Sequence, residues 1–151
     1  MTVTGAARSD AASIAAFMGL KNPNRFTDLA LVDQIATGLP ARAAKIIASR
    51  IDPAGDFLQA TDLIPRATFH RKLKQREALS AEHSERLLSF ARVLAEALRQ
   101  YRGDQRAAHE FLRGPHPMLG GRSALKLALR STAGADLVLR LLERAEAGVA
   151  V

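Results

Sequence analysis

The sequence contains no cysteine and no tryptophan, and aromatic residues make up only 5% of its 151 residues. The lack of cysteine excludes disulfides, thiolate zinc sites and cysteine nucleophiles. With so few aromatic rings, the hydrophobic core has to be built from leucine, isoleucine, valine and alanine. No apolar run approaches the roughly 18 residues that suggest a membrane-spanning helix.

The apolar stretch at residues 11–20 is the one segment that could pass for a signal peptide. Asp10 precedes it where a positively charged flank belongs, and Lys21-Asn22-Pro23 follows where small residues would mark a cleavage site. The stretch is therefore predicted to be an amphipathic helix, and the protein is expected in the cytoplasm.

Basic residues exceed acidic ones, since 22 lysines and arginines stand against 15 acids and give a net charge of +7. The excess lies mainly in residues 63–102, which carry nine basic and four acidic side chains. Such a concentration indicates a polyanionic partner such as DNA. A solvated helix face is the alternative that the charge pattern leaves open.

The pattern of apolar residues is helical almost throughout, and no strand-like alternation persists, so the predicted fold class is all-α. Capping and proline signals predict the helix starts. These starts lie near Asp10, Thr27, Pro40, Pro53, Pro65, Ser80, Asp104, Ser123 and Thr132. The chain divides most naturally into an N-terminal helical domain, residues 1–78, and a C-terminal helical domain, residues 79–151.

Residues 53–76 have the layout of a helix-turn-helix unit, although the turn lacks the usual glycine. Asp52 is predicted to cap a short helix that begins with Pro53 and closes at Thr61-Asp62. Pro65 then opens a basic helix that runs from residue 66 to about residue 77.

The basic helix has two predicted faces. Phe69 and Leu73 share one face and are expected to pack on the preceding helix. The predicted DNA-facing residues are Thr68, Arg71, Lys72 and Gln75, and the flanking phosphate contacts are Arg66, Lys74 and Arg76. Arginine and lysine neutralise phosphates or read guanine, threonine contacts phosphate or a thymine methyl group, and glutamine pairs with adenine.

Catalysis has little support in the sequence. The four histidines, His70, His83, His109 and His116, are isolated, and a zinc-protease motif, a P-loop and a dinucleotide-binding fingerprint are all missing. Gly120-Gly121 could form a phosphate-binding loop ahead of a helix start, but without the wider motif a turn that needs positive φ explains the two glycines equally well. We therefore expect no catalytic residue, no metal site and no cofactor.

From Ser80 onward the chain presents an ordered series of short motifs. In sequence order they are Ser84-Glu85-Arg86-Leu87-Leu88, Gly103-Asp104, Ala107-Ala108, Phe111-Leu112, Leu119-Gly120-Gly121-Arg122 and Gly148-Val149. In order and spacing the segment resembles the toxin-binding domain of the Xre/MbcA/ParS antitoxins. The resemblance covers roughly residues 65–151. The N-terminal bundle is similar in layout to the Cro-like helix-turn-helix domain of these antitoxins.

This resemblance implies an antitoxin of a type II toxin–antitoxin system. Such a protein binds a RES-domain toxin, occludes its NAD⁺-consuming active site and represses its own operon by binding operator DNA. The candidate toxin contacts are Gly120, Gly121, Arg122, Arg140, Arg144, Gly148, Val149, Ala150 and Val151. A homodimer and a higher-order complex with the toxin are expected, because helix-turn-helix readers usually bind two half-sites.

The sequence departs from the family pattern in two places. Ser123-Ala124-Leu125-Lys126 stands where the family often has Thr-Pro-Leu-Asp, and Phe111 stands where a tryptophan is frequent. Lys126 thus replaces an acid, which puts in doubt any partner contact that relied on that acid. The alternative function is a stand-alone helix-turn-helix regulator whose C-terminal half serves only for dimerisation.

Overall fold

The computed structural model describes residues 10–148, and these residues fold into α-helices joined by short loops. The helices are α1 (Asp10–Phe17), α2 (Asp28–Thr37), α3 (Arg42–Ile51), α4 (Ala60–Leu63), α5 (Arg66–Gln75), α6 (Ala81–Gln100), α7 (Gln105–Arg113), α8 (Ala124–Arg130) and α9 (Thr132–Glu146). A small antiparallel ribbon joins β1 (Pro115–His116) to β2 (Arg122–Ser123). The all-α prediction is confirmed.

Side-chain caps start several helices where the sequence predicts them. The side chains of Thr27, Ser80, Asp104 and Ser123 each accept a hydrogen bond from the backbone N–H three residues further on, at 3.1–3.2 Å. These bonds satisfy amides that have no partner inside the helix. Helix α9 is capped by Ser131, whose hydroxyl accepts from the Gly134 N–H at 3.0 Å.

Helix α6 lies at the centre of the fold. It packs against α1, α2 and α3 on the N-terminal side, and against α7, α8 and α9 on the C-terminal side. Leu87, Phe90 and Leu94 of this helix are buried in one core cluster that includes residues from both halves of the chain. The domain boundary after residue 78 stays a prediction, and α6 supplies packing to both sides of it.

The C-terminal end of α9 is tied to α6. Arg99 forms an ion pair with Glu146 at 2.7 Å and a second one with Glu96 on its own helix. Hydrogen bonds to these two carboxylates raise the pKa of the Arg99 guanidinium. The Gln100 side-chain amide also donates to the carbonyl oxygen of Leu142. The last helical turn is therefore fixed just before residue 148.

The prediction of a helix that begins at Pro53 is wrong. Asp52 ends α3, residues 53–59 form a loop, and α4 contains Thr61 and Asp62, which were expected to close a helix. The Asp52 carboxylate accepts from the N–H groups of Phe57 at 2.7 Å and Leu58 at 2.9 Å. The side chain of an N-cap residue accepts a hydrogen bond from the backbone N–H two or three residues further on. A bond five or six residues ahead closes a loop instead.

The predicted apolar face of α5 is only partly buried. Phe69 is buried in the core, while Leu73 on the same face is 39% exposed. Helix α3 begins at Arg42, two residues after the predicted start at Pro40, which is within the usual uncertainty of helix ends. For the described residues, no helix is long and apolar enough to cross a membrane.

Candidate functional site

The loop between α3 and α4 positions helix α5. Asp52 is buried at 4% exposure, and its carboxylate holds the loop closed through the two amides described above. The Gln59 N–H then donates to the Asp62 carboxylate at 2.8 Å, which starts α4. Burial raises the pKa of Asp52, but hydrogen bonds from Phe57, Leu58 and Asp56 and the nearby His109 outweigh this and leave the pKa below 3.8.

Asp52 is therefore expected to stabilise the fold in its ionised form. Asp52→Ala should lower the free energy of unfolding at pH 7 by about 1–3 kcal/mol, because buried N–H groups lose their acceptor. Since the folded pKa lies below the unfolded value of 3.8, this stabilisation is present above about pH 4. It is lost as the pH falls through the folded pKa. Urea unfolding followed by circular dichroism at several pH values measures both effects.

The matched control for Asp52 is the exposed Asp56 in the same loop. Asp56→Ala should change the free energy of unfolding by less than about 0.5 kcal/mol. Equal destabilisation by the two substitutions would contradict the role assigned to the Asp52 carboxylate.

Helix α5 presents a basic outer face. Arg66, Arg71, Lys74 and Gln75 are exposed, and in residues 10–148 the three basic residues of this set form no ion pair. Phe69 anchors the opposite side of the helix in the core. Thr68 and Lys72, which were also predicted to face DNA, are half-buried at the edge of this face. Lys72 lies 3.5 Å from the Glu77 carboxylate, which partly neutralises it.

A groove of about 630 Å³ runs beside the C-terminal end of α5. Lys72 and Arg76 line it from the α5 side, while Lys21 from the loop after α1 and Arg42 from the start of α3 line the other side. Sequence reasoning missed Lys21 and Arg42, because they are distant in sequence from the basic cluster and carry no local signal. The fold alone brings these four cations to one groove.

The predicted toxin contacts fall in separate places on the C-terminal half. Gly120 and Gly121 adopt φ values of 64° and 78° in the segment between β1 and β2, as the turn interpretation predicts. Arg140 and Arg144 are exposed one turn apart on α9, whereas Arg122 lies on β2. Gly148 is exposed after α9. Val149, Ala150 and Val151 lie outside the described residues.

Two domain families match this chain. Residues 30–92, which include α4 and α5, match the Antitoxin Xre-like helix-turn-helix domain. Residues 97–148, from the end of α6 through α9, match the Antitoxin Xre/MbcA/ParS C-terminal toxin-binding domain. The chain belongs to the Xre/MbcA/ParS family of antitoxins. Among curated proteins, no sequence matches it significantly.

The first match ends and the second begins within α6, so they divide the exposed basic residues between two domain types. The exposed basic face of α5 lies in the helix-turn-helix match. Arg122, Arg140 and Arg144 lie in the toxin-binding match. Both matched families are antitoxin domains rather than enzymes.

Two histidines of the antitoxin hydrogen-bond backbone carbonyls. The ring of His109 on α7 hydrogen-bonds the carbonyl of Ile51 and lies 4.6 Å from the Phe57 ring. His116 hydrogen-bonds the carbonyl of Phe111 at 2.7 Å. In the described part of the chain, no group of three histidines or acids is placed to hold a metal ion. His109 instead joins the toxin-binding half to the loop that precedes α4.

Proposed function

We propose that this antitoxin neutralises a RES-domain toxin and represses its own operon by binding operator DNA. The proposal is supported by one arrangement: an exposed basic helix in a helix-turn-helix match and a toxin-binding match in the same chain. In this account the antitoxin occludes an active site that consumes NAD⁺. The chemistry belongs to the toxin, so the antitoxin itself needs neither a catalytic residue nor a cofactor.

The DNA-binding part of the proposal places α5 in the major groove. Arg71, Lys74 and Gln75 project from its outer face and are the proposed readers of base edges and phosphates. Arg66 and Thr68 are further proposed contacts near the start of the helix. The groove cations, including Lys72, extend the surface along the DNA backbone. If about six phosphates are neutralised, log K should fall with log salt at a slope of about −5.

We propose that the antitoxin acts on DNA as a homodimer. Helix-turn-helix dimers place two recognition helices about 34 Å apart, so that a two-fold operator is read by a two-fold protein. A dimer also offers two toxin-binding surfaces, which supports a higher-order toxin–antitoxin complex. Sedimentation of the purified protein with and without toxin measures both stoichiometries.

The toxin-binding part of the proposal involves the ribbon turn, α9 and the chain end. Gly120, Gly121 and Arg122 form one group, and Arg140 and Arg144 form another on the exposed side of α9. Gly148, Val149, Ala150 and Val151 are proposed to enter the toxin's active-site cleft. The ion pair between Arg99 and Glu146 fixes the point from which this short apolar segment leaves α9.

Deletion of residues 148–151 is expected to weaken neutralisation of the toxin by about tenfold or more. Full burial of a valine side chain contributes about 1.5–3 kcal/mol, and the segment contains two valines. The measurement is a titration of the toxin's NAD⁺ consumption with the full-length and shortened antitoxins. Affinity for operator DNA is the control and should not change. Undiminished neutralisation by the shortened protein would rule out the occluding role of this segment.

A further inference from the structure

A basic cleft of about 450 Å³ lies between the end of α7, the ribbon and α8. Arg113, Arg122, Lys126 and Arg130 line it, and all four side chains belong to exposed residues. Within residues 10–148, no acidic side chain lines this cleft. Of these four basic residues, only Arg122 is a toxin contact predicted from the sequence.

Local geometry explains how the four cations converge. Lys126 and Arg130 are four residues apart on α8, so they lie on the same side of that helix. The ribbon register pairs His116 with Arg122, which brings β2 beside the chain that leaves α7. The Arg113 guanidinium lies 5.1 Å from the centre of the Phe57 ring, and this cation–π contact restrains it.

The positive charge of the basic cleft is not neutralised by the fold. None of the four cations forms an ion pair or donates a side-chain hydrogen bond to the described residues. Clustered like charges repel each other, and an anionic ligand relieves that repulsion. The arrangement therefore favours a ligand that carries several negative charges.

The cleft walls favour a peptide over a nucleic acid. Pro115 and Leu127 add apolar surface between the cations, which suits a loop that alternates carboxylates with apolar side chains. The cleft is concave, whereas α5 presents the exposed helical face that fits a DNA groove. All of its lining residues also lie within the toxin-binding match at residues 97–148.

We propose that the basic cleft docks an acidic loop of the partner toxin. Aspartate or glutamate side chains of that loop would pair with the guanidinium groups of Arg113, Arg122 and Arg130 in a bidentate manner, and with the Lys126 ammonium as a point charge. The inference rests on the proposed function, because it describes how the antitoxin holds the toxin at a surface away from the toxin's active site. Exposed charges of this kind accelerate association, and their effect weakens as salt screens them.

The test is a charge reversal in the cleft. Lys126→Glu together with Arg130→Glu should weaken toxin binding by about tenfold or more at physiological salt, as measured by calorimetry with the toxin of the same operon. The matched control is Arg92→Glu together with Arg106→Glu, which makes the same charge change at exposed positions outside the cleft. Circular dichroism checks that both variants are folded, and operator affinity is measured separately for each of them.

A zero-length cross-link locates the contact directly. A carbodiimide should couple the Lys126 amine to a carboxylate of the toxin, and mass spectrometry identifies the joined peptides. Lys126→Arg keeps the charge, so it should keep the affinity and lose this cross-link.

The outcomes separate the inference from the proposed function. If the cleft variant binds the toxin as tightly as the control variant, the acidic-loop inference is overturned while the antitoxin role stands. If the unaltered protein does not bind the toxin, the proposed function fails and the inference fails with it. If the cleft variant loses only operator affinity, the cleft is a nucleic-acid contact and the inference is overturned.

Discussion

Replacement of Arg71 and Lys74 by alanine is expected to lower affinity for operator DNA by roughly 10²-fold or more. Both side chains project from the outer face of α5, and in residues 10–148 neither is held by an ion pair. Each lost base contact costs about 1–3 kcal/mol, and each lost phosphate contact reduces the salt slope by about 1. Fluorescence anisotropy with the DNA upstream of the operon, over a range of salt concentrations, measures both quantities.

Helix α9 provides the matched control for this double substitution. Arg140→Ala with Arg144→Ala removes the same charge from exposed positions in the toxin-binding half. This variant should keep nearly all of its operator affinity, because general loss of positive charge is a smaller effect than loss of a direct contact. Equal loss of affinity in the two variants would mean that net charge, not α5, determines DNA binding.

Co-expression of the antitoxin is expected to restore growth to cells that express the toxin of the same operon. The toxin alone should arrest growth and deplete NAD⁺, because its active site is then open. When free antitoxin exceeds the dissociation constant about a hundredfold, only about 1% of the toxin remains active. The variant with alanine at Arg71 and Lys74 should rescue growth as well as the unaltered protein, since α5 lies outside the toxin-binding match. Its operon should meanwhile be derepressed.

The helices were largely predictable because their start signals are local. Thr27, Ser80, Asp104 and Ser123 bond amides three residues away, and that relation is visible in the sequence. Asp52-Pro53 carries the same local signal, yet the Asp52 carboxylate bonds Phe57 and Leu58 and closes a loop. Gly55, with φ of 72°, lies within that loop and interrupts a helical course. The residues next to Asp52 in the sequence do not indicate whether its carboxylate caps a helix or closes a loop.

The candidate DNA surface could be predicted only where its residues lie on one helix. The periodicity of α5 identified Arg71 and Gln75 as outward-facing, and these are exposed. It also placed Lys72 on that face, but Lys72 is half-buried beside Glu77, an ion pair that depends on how the chain turns after α5. Lys21 and Arg42 reach the same groove through packing of the N-terminal helices, which no local pattern encodes.

The basic cleft was beyond sequence reasoning for a related reason. Arg113 and Arg122 are separated by the ribbon turn, and the pairing of β1 with β2 brings their segments together. The two-residue strands are too short to give a recognisable alternation. The order of motifs around Gly120-Gly121 identified the family, but it carried no information about which side chains face each other.

The cellular NAD⁺ level tests the central claim most directly. It should be measured after induction of the toxin of the same operon, with the full-length antitoxin and with the antitoxin lacking residues 148–151. The account predicts NAD⁺ loss with the toxin alone, full protection by the complete antitoxin and weaker protection by the shortened one. NAD⁺ loss that the complete antitoxin does not prevent would contradict the account. If the protein encoded beside this one in the operon is harmless and does not co-purify with it, a stand-alone DNA-binding regulator would be the better account of this chain.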